Sequence, residues 1–367
     1  MAAFQPRFVS ETIDGQEFPV YENFHEIYRT ISTLGRGSFG RVDLVEDKHS
    51  GQRVAAKFIK LFRDNAVPKV VESMKEVEIL RSINSRNESL KPEDRIDIPE
   101  YYGCFLTRRF NDDFSNYDFV VLMEYIRETD METILKNWMG GPQAIDRTDA
   151  KSMNQHYRNI LTLTRWLYRN LANLHSLDVV HRDIKLVNII KRVNSPGKSQ
   201  FVLLDLGFSC RLPKSDLMRP SSIDGPTHVM EELADISIDC QLNTNGSFLY
   251  AAPELIYRTV KHVEEYKATD VWSAGITLWE LANLKYFGPE THGDDQVRAF
   301  LHFLDTNVLE TLYMPPVDRV IMEALNKNPV ERPSAREITV YIRKFLDGDF
   351  SSGIRIFSVV NLAILNQ

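Results

Sequence analysis

Near residue 127 the chain changes its period. From about residue 28 to 126, short β-rich runs alternate with turn signals such as Lys48-His49-Ser50-Gly51. One stretch departs from this: Val67, Val70, Met74, Val77 and Leu80 recur at three- and four-residue spacing, which predicts a half-buried helix. After residue 127 the pattern is mainly helical, and Ile160, Leu163, Leu167, Leu171 and Leu174 form a second apolar stripe. The expected class is therefore α+β, a small strand-rich part with one main helix followed by a larger helical part. Ligand clefts commonly form at such a junction. Asn84 to Asp97 reads as a charged link from the first helix to the next strand, and Pro213 to Asn245 as a long polar loop.

A chain of 367 residues can build one large domain or two lobes with substantial cores. The formal net charge of -7 gives no support for nucleic-acid binding. Cys104, Cys210 and Cys240 are widely spaced and odd in number, with neither metal-ligand spacing nor a disulfide framework, which favours a reducing compartment. Residues 1–27 lack the charged start and apolar run of a signal peptide and show no interaction module. The apolar stretch Ile354 to Leu365 is interrupted by Arg355, Ser358 and Asn361 and is too short to span a bilayer. It is expected to pack on the core, with docking to a partner as the alternative. Cytoplasmic placement is the default, with nuclear entry left open.

Two sets of motifs lie near this junction. Leu34-Gly35-Arg36-Gly37-Ser38-Phe39-Gly40-Arg41-Val42 carries G-x-G-x-x-G-x-V between two strand-like runs. Its glycines let backbone amides approach phosphate oxygens. Dinucleotide-binding folds use a similar pattern but follow it with a helix, whereas Val42, Leu44 and Val45 lead to a turn at Gly51 and a second strand. That strand holds Lys57 in Val54-Ala55-Ala56-Lys57, and a lysine in an apolar strand is costly unless its charge meets a partner. A snorkelling edge lysine is the alternative. Further on, His181-Arg182-Asp183-Ile184-Lys185-Leu186-Val187-Asn188 is followed by a strand-like run, Phe201 to Leu204, and then Asp205-Leu206-Gly207. This places a base, a cation and two oxygen ligands for a divalent metal around one short loop.

On these motifs the chain resembles the eukaryotic protein kinase family, from about residue 28 to 345. The resemblance implies a bilobal kinase-like fold, with an N-lobe over 28–126, a C-lobe over 127–345, an N-terminal extension (1–27) and a C-terminal tail (346–367). It also implies transfer of the γ-phosphate of ATP to Ser/Thr hydroxyls of protein substrates with Mg²⁺. Asp183 would orient and deprotonate the hydroxyl, Lys185 would neutralise charge on the transferred group, and Asn188 and Asp205 would hold magnesium. Lys57 would pair with Glu76, with Glu78 as the competing choice. Nucleotide contacts would come from Leu34, Gly35, Gly37, Ser38, Phe39, Gly40, Val42, Ala55, Lys57 and Ile190. Met123 would be the gatekeeper, and Glu124 to Ile126 the hinge meeting the adenine. Asp130 falls where the family often binds ribose, and a helix N-terminal acid is an equal reading. Tyr101, Leu80, Leu206 and His181 would form a stacked apolar spine, with His181 structural in role. Leu206 replaces the usual Phe, a volume-compatible change. Lys185 resembles serine/threonine kinases in particular.

Gly246 to Glu254 resembles the peptide-binding turn ending in Ala-Pro-Glu, Asp270 to Gly275 a buried helix, and Arg332 the partner of Glu254. Arg182 beside the base calls for an acidic partner. Phosphate on Thr244, or second on Ser237, would meet that need through an upstream kinase or autophosphorylation in trans. A constitutive acid, Asp239 or Asp235, is the alternative. Val187 weakly disfavours a strong preference for basic peptides. A pseudokinase scaffold and a small-molecule kinase of related fold are the rival readings, the first opposed by the presence of Lys57, Asp183, Asn188 and Asp205, the second by the Ala-Pro-Glu turn.

Overall fold

The computed structural model describes residues 8–13, 16–21, 24–37, 40–61, 66–108, 117–192, 200–212, 248–257, 259–260, 263–286 and 316–348. The chain forms two compact units, Met1–Glu128 with Arg192–Gly207, and Thr129–Lys191 with Phe208–Gln367.

The first unit is built on one sheet. Its strands are β1 (Phe8–Ile13), β2 (Gln16–Tyr21), β3 (Tyr28–Gly37), β4 (Gly40–Asp47), β5 (Arg53–Leu61), β6 (Tyr101–Arg108) and β7 (Tyr117–Glu124), in the order β1-β2-β6-β7-β5-β4-β3. The hairpin β1–β2 joins the edge through a parallel pairing of Val20 with Leu106 and Tyr21 with Thr107. Period two sorts the side chains of the central strands onto two faces. Val42, Lys57 and Val121 lie in one cross-strand row and Leu44, Ala55 and Met123 in the next, so these six share a face. The opposite face carries Val45, Val54, Ala56, Phe58, Val120 and Leu122, which form a core with Tyr21, Phe24 and Ile27. Phe24 is fully buried and lies 5.7 Å edge-on from Phe58. Residues upstream of 28, in β2 and the short helix α1 (Phe24–Ile27), are thus part of the unit's core rather than a separate arm.

Helix α2 (Ala66–Ser89) carries the expected stripe, with Val70, Val77 and Leu80 buried and Met74 half-buried. It runs further than the polar sequence after Asn84 predicts, so the first part of the expected linker is helical. Tertiary hydrogen bonds override weak propensity here. Asn84 Oδ1 accepts from the Tyr101 amide at 2.8 Å, and Asn87 exchanges two hydrogen bonds with the Ile96 backbone.

The second unit contains β8 (Thr129–Asp130), α3 (Met131–Gly140), α4 (Ala150–His175), β9 (Val179–Val180), β10 (Ile189–Lys191), β11 (Cys210–Arg211), α5 (Pro253–Ile256), α6 (Val263–Asn283), α7 (Val317–Ala324) and α8 (Ala335–Leu346). All five residues of the predicted stripe on α4 are buried. Helix α6 is apolar around most of its circumference, as a central buried helix must be, with Val271, Ala274, Ile276 and Leu278 fully buried. A Cβ at Gly275 would lie 2.9 Å from that of Ala324, so this glycine permits the close approach of α6 and α7. A reciprocal capping box of Ser334 and Glu337 starts α8.

Cys104 is a free thiol.

Candidate active site

In the first unit, β3 and β4 pair antiparallel up to Gly37 opposite Gly40, so the glycine motif is the tip of a hairpin. Ser38 and Phe39 lie outside the described residues. Gly40 has φ of 138°, and a Cβ there would sit 2.0 Å from the Phe58 carbonyl oxygen. At Gly35 a Cβ would meet nothing within 4 Å. Gly40→Ala is therefore expected to lower the melting temperature by several degrees, and Gly35→Ala to leave it unchanged. Any weakening of nucleotide affinity in the Gly35 variant would then report close approach of a ligand, separable by comparing thermal melts with ligand titrations.

Lys57 is 6% exposed. Its ammonium donates to both Glu76 oxygens, at 2.8 and 2.9 Å, and to Asp205 Oδ1 at 3.1 Å. Burial alone would lower its pKa, but the two carboxylates outweigh this and raise it. Burial pushes the Glu76 carboxyl up and Lys57 opposes that push. The direct contact of the ammonium with both oxygens decides for the ion pair. Glu76 is buried and Glu78 exposed, which resolves the choice between them. Asp205 adopts φ of 59°, a left-handed state that Asp tolerates better than most residues. Its carboxylate is about one-third exposed, at 34%, so it keeps a face for a cation. Leu80 and Leu206 are buried, and Tyr101 half-buried.

In the second unit, Asp183 is 3% exposed and held by its own loop. Lys185 Nζ lies 3.0 Å from Oδ1 and 2.8 Å from Oδ2. Asn188 Nδ2 donates to the Asp183 carbonyl at 2.8 Å and to Oδ2 at 2.9 Å. With its amino group spent on Asp183, Asn188 has its amide oxygen left as the hard donor to offer a cation. Among the described residues no group of three or more His, Cys, Asp or Glu could hold a metal by itself. The Asn188 amide oxygen and, in the first unit, the Asp205 carboxylate are each hard oxygen donors of the kind magnesium takes.

A residue read from sequence only as part of a buried helix anchors this loop. Asp270 on α6 is fully buried and accepts from the amides of His181 at 2.8 Å and Arg182 at 2.7 Å, and contacts His175 Nε2 at 2.9 Å. Those bonds hold Arg182 at φ of 67°. Burial would raise the Asp270 pKa, but the hydrogen bond and charge of His175, with help from His181, bring it below the ordinary carboxylate value. A depressed folded pKa stabilises above the unfolded value, near 4, and that stabilisation is lost as pH falls through the folded pKa. Asp270→Asn should therefore melt lower at pH 7 and show a shallower loss of melting temperature on acidification below pH 4. His181 is fully buried, and its carbonyl accepts from Ser209 Oγ at 3.2 Å, consistent with a structural role.

Asp130 caps α3, accepting from the Thr133 amide at 2.8 Å and its hydroxyl at 3.0 Å, and pairs across β8–β10 with Ile190. Tyr250 donates to buried Glu280 at 2.7 Å, and Ser273 Oγ donates to the Tyr250 carbonyl at 2.7 Å, an anchorage of the turn before Ala-Pro-Glu that sequence reading missed. Glu254 and Arg332 pair at 2.7 and 3.2 Å, as expected. Ser237, Thr244, Asp235 and Asp239 lie outside the described residues.

Comparison with known proteins agrees with this geometry. A serine/threonine-protein kinase 10-A of Xenopus laevis is 25% identical over 320 residues, covering 86% of this chain and 27% of that protein. Misshapen-like kinase 1 of Rattus norvegicus is 23% identical over 341 residues, 88% of this chain and 21% of that protein. Mitogen-activated protein kinase kinase kinase 3 of Arabidopsis thaliana is 25% identical over 305 residues, 83% of this chain and 40% of that protein. The chain thus matches only about a fifth to two-fifths of the length of these relatives. The family model of the protein kinase domain matches residues 28–341, most of the sequence, and the chain belongs to that family.

Proposed function

We propose that the chain is an active, ATP- and Mg²⁺-dependent protein kinase directed to serine and threonine. The observation that carries this reading is the buried contact of Lys57 with Glu76 and Asp205, which keeps the phosphate-handling lysine charged and in place. Bound MgATP would supply the γ-phosphoryl group. Asn188 and Asp205 would hold the magnesium. Asp183 would orient the incoming hydroxyl and take up its proton on a carboxylate oxygen, and Lys185 would balance charge on the transferred group. Positioning and electrostatics would carry the rate more than covalent chemistry. The relatives named as serine/threonine kinases, together with Lys185, support the choice of acceptor.

Protein substrates are the partners this reading requires. Control by phosphate on Thr244 or Ser237, opposite Arg182, belongs to the same proposal. Full activity of Thr244→Ala, purified without phosphatase inhibitors, would remove Thr244 from it. No helix among the described residues is long and apolar enough to cross a membrane. Cytoplasmic placement, with nuclear entry left open, is likewise proposed, and finding the full chain in a secretory compartment would overturn it.

The test is transfer of labelled phosphate from ATP to a degenerate Ser/Thr peptide library, with and without Mg²⁺ and with nucleotide binding measured in parallel. Metal-dependent transfer to peptides supports the reading. Nucleotide binding with no transfer, even after phosphorylation of Thr244, would favour a scaffold. Transfer to a sugar or amine alone would favour a small-molecule kinase.

A further inference from the structure

Glu124 ends β7 inside the segment expected to meet the adenine, yet its side chain is engaged elsewhere. Its Oε2 accepts from Arg192 Nη2 at 2.6 Å, and the two side chains are 13% and 8% exposed. The same oxygen is within 3.4 Å of the Glu100 amide, while the Glu124 amide donates to the Glu100 carbonyl at 2.8 Å. Arg192 is fixed in turn, its amide donating to the Gln200 carbonyl at 2.7 Å. One residue of the base-reading segment is therefore held by a charged contact to a position 68 residues away and by backbone bonds to Glu100. Taking two charges out of water is costly, and such a pair is better explained by what it holds in place than by stability alone.

We propose that Arg192 is a positioning residue for the nucleotide: by clamping Glu124 it fixes the backbone of residues 124–126 against which a purine base is read. The inference rests on the ATP-dependent reading above. Hydrogen bonds to a base edge depend on placement within about half an ångström, and the base contributes to ground-state and transition-state binding alike. Loss of the clamp should therefore appear in the KM for ATP and leave kcat nearly unchanged. The triphosphate end of the ligand should not feel it.

The experiment compares wild type with Arg192→Ala, Arg192→Lys and the exchange Glu124→Arg/Arg192→Glu. It measures kcat, KM for ATP, and affinity for Mg²⁺-tripolyphosphate, a probe without a base. Expected is a rise of roughly tenfold in KM for Arg192→Ala, the size of one or two lost hydrogen bonds. With it should come unchanged tripolyphosphate affinity, a smaller rise for Arg192→Lys, and partial recovery in the exchanged pair. Equal weakening of both ligands, or an unchanged KM, overturns the inference. If Arg192→Ala does not fold, Arg192→Lys carries the same comparison. Wild type that binds tripolyphosphate and no ATP would instead overturn the ATP reading itself.

Discussion

Asp183→Asn is expected to cut phosphoryl transfer by about 10²–10⁴-fold, the usual contribution of a positioned proton acceptor, while nucleotide affinity stays near wild type. The Asp183 carboxylate faces two cationic or donor groups, Lys185 Nζ and Asn188 Nδ2. An amide of the same size removes the proton acceptor. It also brings a donor NH₂ against one of those two donors, so the loop loses an attraction as well as the base. Asp183→Ala removes the base without the donor clash, so similar residual rates in the two variants would assign the loss to proton transfer. Initial rates at saturating MgATP, with a parallel binding titration, check the expectation. A rate within threefold of wild type would show that Asp183 is not the base.

Charge made most of this site legible. Lys57 in an apolar strand demanded a carboxylate, and the structure supplies Glu76 with Asp205 beside it. Periodicity made the buried faces of α2 and α4 legible, because several turns of each helix repeat the stripe. The N-terminal hairpin was missed although its signal is present: Asp14-Gly15 stands between Phe8–Ile13 and Gln16–Tyr21, and Asp-Gly between β-prone runs is a strong hairpin cue. The contacts of Asp270 with the His181 and Arg182 amides and of Glu124 with Arg192 were not legible. Each depends on a distance that only the folded chain sets, across 89, 88 and 68 residues. The return of Arg192–Gly207 to the first unit has the same origin, since no local pattern records that Leu203 donates to the Asp97 carbonyl.

Arg332→Leu is expected to destabilise the second unit by about 3–5 kcal/mol, the cost of stranding a buried charge, and to lower its melting temperature by about 10 °C. The Arg332 side chain is wholly buried and the Glu254 side chain 2% exposed. Besides both Glu254 oxygens, the guanidinium donates to the carbonyls of Ala268 at 2.7 Å and Asn326 at 2.9 and 3.1 Å, and lies 5.1 Å from the Trp272 ring centroid. It therefore ties α5, α6 and the segment after α7 together. Leucine would leave a carboxylate and the Asn326 carbonyl without this donor in a site that water does not reach, and the Ala268 carbonyl with only its helical partner. Replacing both charges, Glu254→Leu with Arg332→Leu, removes the stranded carboxylate but does not restore the bonds to the carbonyls, so only part of the loss should return. Thermal melts of the two variants separate these terms. A single variant melting within about 2 °C of wild type would mean that water or a local shift satisfies Glu254, and that the pair does not hold these elements together.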